Sequence, residues 1–189
     1  MNNNAKAIIQ AELDTDEKLL WVGMPKQGLM LQASDTFMIP FSLVWGGFAL
    51  FWETMALSIP SDKAGPVSII FPLFGLPFVL IGLYIMVGRF FYDAKQRSKT
   101  FYGLTNKRVI ILSNLFGKTL NSLNLKNIDE ISIVEKANGS GTIILGKDNA
   151  VRSKFPSRGN TVSAPELEMI DNAKQVYNLI RQQQTQAMS

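Results

Sequence analysis

Neither cysteine nor histidine occurs among the 189 residues. The chain therefore lacks a thiolate nucleophile, an imidazole base and the usual ligands of zinc, haem and iron–sulfur clusters. No disulfide can form. What remains for chemistry is carboxylates, Lys, Tyr and Ser/Lys pairs. Ser98-Lys99 and Ser153-Lys154 are adjacent pairs, not the arrangement of a Ser/Lys catalytic site, and both read as solvated. Gly139-Ser140-Gly141-Thr142 lacks the spacing and the lysine of a phosphate-binding P-loop, so it reads as a hairpin turn. Glu53 is the one carboxylate inside a long apolar run. No second ionisable group lies nearby to relay a proton, and the expectation is that Glu53 snorkels or sits at the headgroup level. No catalytic residue, metal site or cofactor is expected, and the chain reads as a non-enzyme.

The basic residues are the stronger signal. Residues 1–88 hold 4 Lys/Arg against 7 Asp/Glu, net −3; residues 89–189 hold 15 against 8, net +7. Arg89, Lys95, Arg97, Lys99, Lys107 and Arg108 follow closely behind the apolar runs. They are the candidate contacts to anionic lipid, each contributing on the order of 1 kcal/mol near a negative leaflet. The plainer reading is a solvated basic surface that also fixes topology. Nucleic acid is not expected, because such surfaces interleave aromatics with cations and only Phe101, Tyr102 and Phe155 are candidates.

These residues must be positioned by two long apolar elements. The runs 37–59 and 67–87 would each span roughly 30–35 Å as helices, enough to cross a bilayer's hydrocarbon core. Lys and Arg cluster behind the second run and not between the runs, which predicts both termini in the cytoplasm. Gly75 and Gly82 are seven residues apart and share a helical face. With Gly46 and Gly47 they allow close helix packing. Pro72 and Pro77 should bend the second helix. Residues 5–20 predict one or two short amphipathic helices. Trp21 would anchor that segment to a membrane or domain surface. Gly23, Pro25 and Gly28 end it.

From Thr100 onward the pattern is of short strands. Val109-Ile110-Ile111, Thr119 to Leu125, Ile131 to Val134 and Thr142 to Leu145 are separated by turn residues, with Asn138-Gly139 marking a hairpin. Ser163-x-x-Glu166 is a capping box, predicting a helix over 164–184. Leu167, Ile170, Ala173, Val176 and Ile180 would form its apolar stripe. Gln182 to Ser189 should fray.

LLWVGMPKQG (19–28), the two-run hairpin, FYGLTNKRVII (101–111) and NIDEISIVEKANGSGTIILG (127–146) together resemble the bacterial pleckstrin-homology-like membrane proteins. The resemblance covers most of the chain. It implies an α+β membrane protein: a two-helix transmembrane hairpin, then a small antiparallel β-barrel or sheet capped by a C-terminal helix. It also implies location in the inner (cytoplasmic) membrane and no catalytic motif. The expected organisation is 1–35 as a cytoplasmic N-terminal segment, 36–92 as the hairpin and 93–189 as the pleckstrin-homology-like domain. Residues from about Lys95 onward are expected to fold alone. By the same resemblance, Lys107-Arg108 falls near the turn that eukaryotic pleckstrin-homology domains use for phosphoinositides. The expected partners are membrane lipids and a protein whose identity the sequence does not give; homo-oligomerisation stays open. The functional expectation is a membrane-anchored interaction module that recruits or stabilises a protein partner. The alternative is an accessory subunit of a transport or envelope-maintenance complex, with the hairpin as interface.

Overall fold

The computed structural model describes residues 2–31, 35–60, 65–146 and 164–188. In chain order the elements are α1 (Asn2–Gln10), β1 (Leu19–Gly23), α2 (Asp35–Leu57), α3 (Val67–Leu83), a π-helical turn (Tyr84–Gly88), α4 (Arg89–Ser98), β2 (Thr100–Thr105), β3 (Arg108–Ser113), β4 (Thr119–Asn124), a 3-10 turn (Leu125–Asn127), β5 (Ile131–Glu135), β6 (Gly141–Leu145), β7 (Glu166–Ile170) and α5 (Ala173–Met188). Two compact units result: Met1–Gly28 with Lys95–Ser189, and Leu29–Ala94.

The first unit is a β-domain whose first strand precedes the helical hairpin. Leu19-Leu20-Trp21 is not helical; β1 pairs antiparallel with β2, Val22 facing Gly103 and Gly23 facing Tyr102. Residues 1–28 are thus part of the domain and not a separate N-terminal segment. Trp21 packs half-buried against the domain core, the domain-surface alternative of the two expected for it. The sheet order is β1-β2-β3-β4. Its inner strands are covered on both faces, which explains their near-continuous apolar runs. Tyr102, Leu104 and Val109 point into the main core. Phe101, Ile110 and Leu112 point the other way, onto Ala5 and Ile9 of α1. Gly103 leaves the notch for Ile9: a Cβ there would lie 2.6 Å from Ile9 Cγ2.

β5, β6 and β7 make a separate antiparallel sheet. The expected barrel is not closed; two sheets and α5 enclose one core. The helix expected over 164–184 is also corrected. Glu166–Ile170 is a strand, and the helix starts at Ala173. The cause is a bulge. The β6–β7 register shifts between Gly141 and Ile143, and Met169 has φ 45°. An extra residue breaks the two-residue alternation, so Leu167 and Ile170, three apart, both reach the core. That spacing imitates a helical stripe. Ser163, the start of the expected capping box, lies outside the described residues. The C-terminal turn does not fray: α5 runs to Met188, and buried Gln184 donates to the carbonyls of Leu125 (3.3 Å) and Ile128 (2.6 Å).

In the second unit, α2 and the helical segment Val67–Ser98 are both long and apolar enough to cross a membrane. Most of their large apolar side chains are exposed. The buried positions of α2 include Ser42, Gly46, Ala49 and Ala56, and those of α3 are Gly75 and Gly82. Small residues on both sides let the backbones approach: a Cβ on Gly82 would lie 3.3 Å from Gly46 Cα.

Candidate functional site

The segment Tyr102–Arg108, which carries the family resemblance, is built almost wholly into the domain. Tyr102 is 2 % exposed; its hydroxyl accepts from the Glu168 amide at 3.1 Å, and burial pushes its pKa above the ordinary range. Thr105, fully buried, uses one hydroxyl to set the β2–β3 turn: its Oγ1 accepts from the amides of Lys107 (3.1 Å) and Arg108 (2.9 Å). Asn106 exchanges hydrogen bonds with Lys18: its amide donates to the Lys18 carbonyl, and its Oδ1 accepts from the Lys18 amide. This ties the turn to the residue before β1.

Arg108 completes the buckle. Its guanidinium meets Glu17 in a two-pronged pair, Nε to Oε1 and Nη2 to Oε2, both at 2.8 Å. It also donates to the Glu12 carbonyl and to Ser122 Oγ, each at 3.2 Å, and lies 3.2 Å from Asp14 Oδ2. The Glu17 side chain is 1 % exposed. Burial alone would raise its pKa; the hydrogen bonds from Arg108 and the Asp14 amide, with the Arg108 charge, outweigh that and hold it below the ordinary carboxylate range. Arg108 is raised in turn, chiefly by its hydrogen bond to Glu17. The acidic run Asp14, Asp16, Glu17 against Lys107-Arg108 was the only sequence signal of this pairing.

Replacing Glu17 with Gln should cost about 2–3 kcal/mol of domain stability, because it leaves a largely buried guanidinium with only the exposed Asp14 as counter-charge. The wild type should carry a matching acid dependence. Glu17 is lowered when folded, so the unfolded chain binds the proton first as pH falls. Its stabilisation is full above the ordinary value of 4.5 and is lost as pH drops below it. Urea melts of both forms between pH 7 and pH 3 should converge at the acid end. A constant difference over that range would contradict the assignment.

The six candidate lipid contacts separate. Arg108 is committed to Glu17. Arg97 is 5 % exposed and donates from Nη2 to the Gly28 carbonyl at 2.9 Å, while its own carbonyl accepts from Gln27 Nε2 at 3.2 Å. Neither presents a free charge for lipid. Arg97 instead holds together the two points where the chain leaves and rejoins the domain. Arg89, in the hairpin unit, pairs with Asp35 at 2.6 Å. Lys95, Lys99 and Lys107 remain exposed.

Glu53 does not turn outward as expected. It is half-buried on the α2–α3 seam, where a Cβ on Gly75 would overlap its Oε2. That oxygen is buried and has no hydrogen-bond partner among the described residues. Trp45 Nε1 donates across the same seam to the Phe78 carbonyl at 3.3 Å, and α3 stays helical through Pro72 and Pro77.

The Bacterial PH domain family matches residues 55–184, from within α2 through nearly all of α5. Comparison with curated proteins and with solved structures returned no match. The match covers more than two-thirds of the chain, including Tyr102–Arg108 and both sheets apart from β1. The chain belongs to the Bacterial PH domain family.

Proposed function

We infer that this protein is a non-enzymatic, membrane-anchored interaction module that recruits or stabilises a protein partner at the cytoplasmic face of the inner membrane. PH-like domains are generally non-catalytic interaction modules. The observation that carries the reading is the interruption of the domain. β1 lies before the apolar hairpin and β2 after it. Folding the domain therefore fixes both ends of the hairpin, and the hairpin's exposed apolar side chains call for a lipid environment. The exposed Lys95, Lys99 and Lys107 add a weak, salt-sensitive attraction to anionic lipid. An apolar cleft lined by Leu29, Leu31, Met86, Phe90 and Phe91 favours the second reading, in which the hairpin itself contacts a complex.

The test is photo-crosslinking in native membranes from two positions, Asn121 on the domain and Val87 on the hairpin. The module reading expects a discrete protein adduct from Asn121. An adduct from Val87 alone would favour the accessory-subunit reading, and lipid adducts alone from both would contradict recruitment.

A further inference from the structure

The geometry points to the outer edge of β4 as a strand-addition site, taking an extended segment of a protein partner that carries acidic side chains at one end. This rests on the interaction-module reading and names its surface and its partner's chemistry. The two sheets have four edge strands, β1, β4, β5 and β7. Natural edges are blunted by bulges, charges, proline or cover. β1 has a register shift between Leu19 and Trp21. β7 is bulged, and the Lys26 amide bonds to its Met169 carbonyl at 2.9 Å. β5 contains Glu135 and is flanked by Asp129, Glu130 and Lys136. β4 is flanked by Lys118 and Lys126 but has no bulge, no proline and no charge within the strand. Its sequence, Thr-Leu-Asn-Ser-Leu-Asn, holds no charge and no proline. It pairs with β3 over six unbroken positions, Arg108↔Asn124 to Ser113↔Thr119. Among the described residues no other chain segment bonds to its outward backbone groups.

Charge selects the occupant. At the Asn124 end, the Leu125 amide bonds to the Lys107 carbonyl at 3.0 Å, so Lys107 and Lys126 flank one end of the edge. Both are exposed and form no ion pair among the described residues. At the other end Lys118 is paired with Glu12. A parallel second copy would set Lys107 and Lys126 against themselves, and an antiparallel one would bring them to Lys118, already paired with Glu12, so neither supplies a free counter-charge. An antiparallel peptide with acidic residues at its N-terminus satisfies both the backbone groups and the two lysines.

The probe is a blocked peptide, Asp-Glu-Thr-Val-Thr-Val-Thr, added to the full chain in detergent, with amide hydrogen exchange as the readout. The expected result is protection of alternate amides in 119–124. A peptide N-methylated at alternate residues should give none, and the Lys107→Glu/Lys126→Glu pair should bind about tenfold more weakly. Protection that needs no peptide would assign the edge to the chain itself or, if it depends on protein concentration, to a second copy; either overturns the proposal. So does equal binding of the N-methylated peptide, or no protection at millimolar peptide. Carbonate extraction of the same protein from membranes reports the anchoring reading independently, so the two can fail separately.

Discussion

A fragment beginning at Lys95 is expected not to fold, although it holds six of the seven strands among the described residues and the C-terminal helix. It lacks β1 and α1. Without them β2 becomes a bare edge, and Phe101, Ile110 and Leu112 lose the cover of Ala5 and Ile9. Removing a buried Ile such as Ile9 costs about 2–5 kcal/mol, and the packing of the half-buried Trp21 is lost with it. Domains of this size have only about 5–15 kcal/mol in hand, and the Glu17–Arg108 buckle is lost as well. Joining residues 1–28 to 95–189 through a short Gly/Ser linker should restore a cooperative, β-rich fold. The Arg97 guanidinium bonds to the Gly28 carbonyl at 2.9 Å, so the two ends lie within the reach of one arginine side chain, a gap that a short linker spans. Circular dichroism and urea melts of the fragment and the joined form check this. A Lys95–Ser189 fragment that melts cooperatively at the same midpoint as the joined form would contradict the split domain.

Much of this architecture was legible in the sequence, for identifiable reasons. The apolar hairpin showed because its runs are long and carry almost no charge. Strands β3 to β6 showed because short apolar runs and the Asn138-Gly139 turn are local signals. β1 was missed because its pairing is not local: Leu19–Gly23 has its partner some eighty residues on, and five residues after an acidic stretch also fit a helix. β7 was missed because its bulge sets Leu167 and Ile170 at a helical spacing. Three of the six basic candidates have internal partners, which charge counting does not show: Arg89 with Asp35, Arg97 with the Gly28 carbonyl and Arg108 with Glu17. Glu53 was placed by its distance from the loop, whereas the Gly75 notch opposite it decides where the carboxylate goes.

Gly82→Leu should part α2 from α3. The obstacle to a side chain there is the Gly46 backbone, at 3.3 Å, which no rotamer change relieves. Overpacking ordinarily costs about 1–3 kcal/mol, and a backbone obstacle puts this substitution at the upper end. Gly75→Leu meets first the movable Glu53 carboxylate, so its effect should be smaller. Gly46 faces Gly82 and Glu53 faces Gly75, which sets Ala49 opposite Val79. In this cysteine-free chain, Ala49→Cys with Val79→Cys should form an intrachain disulfide on oxidation. Adding Gly82→Leu should abolish it. Unchanged disulfide yield in the triple variant would show that the seam does not depend on this contact.

The central claim is a Bacterial PH domain anchored by a membrane-crossing hairpin, with the domain in the cytoplasm. Thiol accessibility in intact cells tests it most directly. Ser61, between the two apolar runs in sequence, and Asn114, exposed after β3, would each be replaced singly by Cys. The account predicts that Ser61→Cys reacts with a membrane-impermeant maleimide in intact cells, and that Asn114→Cys reacts only after the membrane is permeabilised. The reverse pattern, or equal labelling of both positions before permeabilisation, would contradict it.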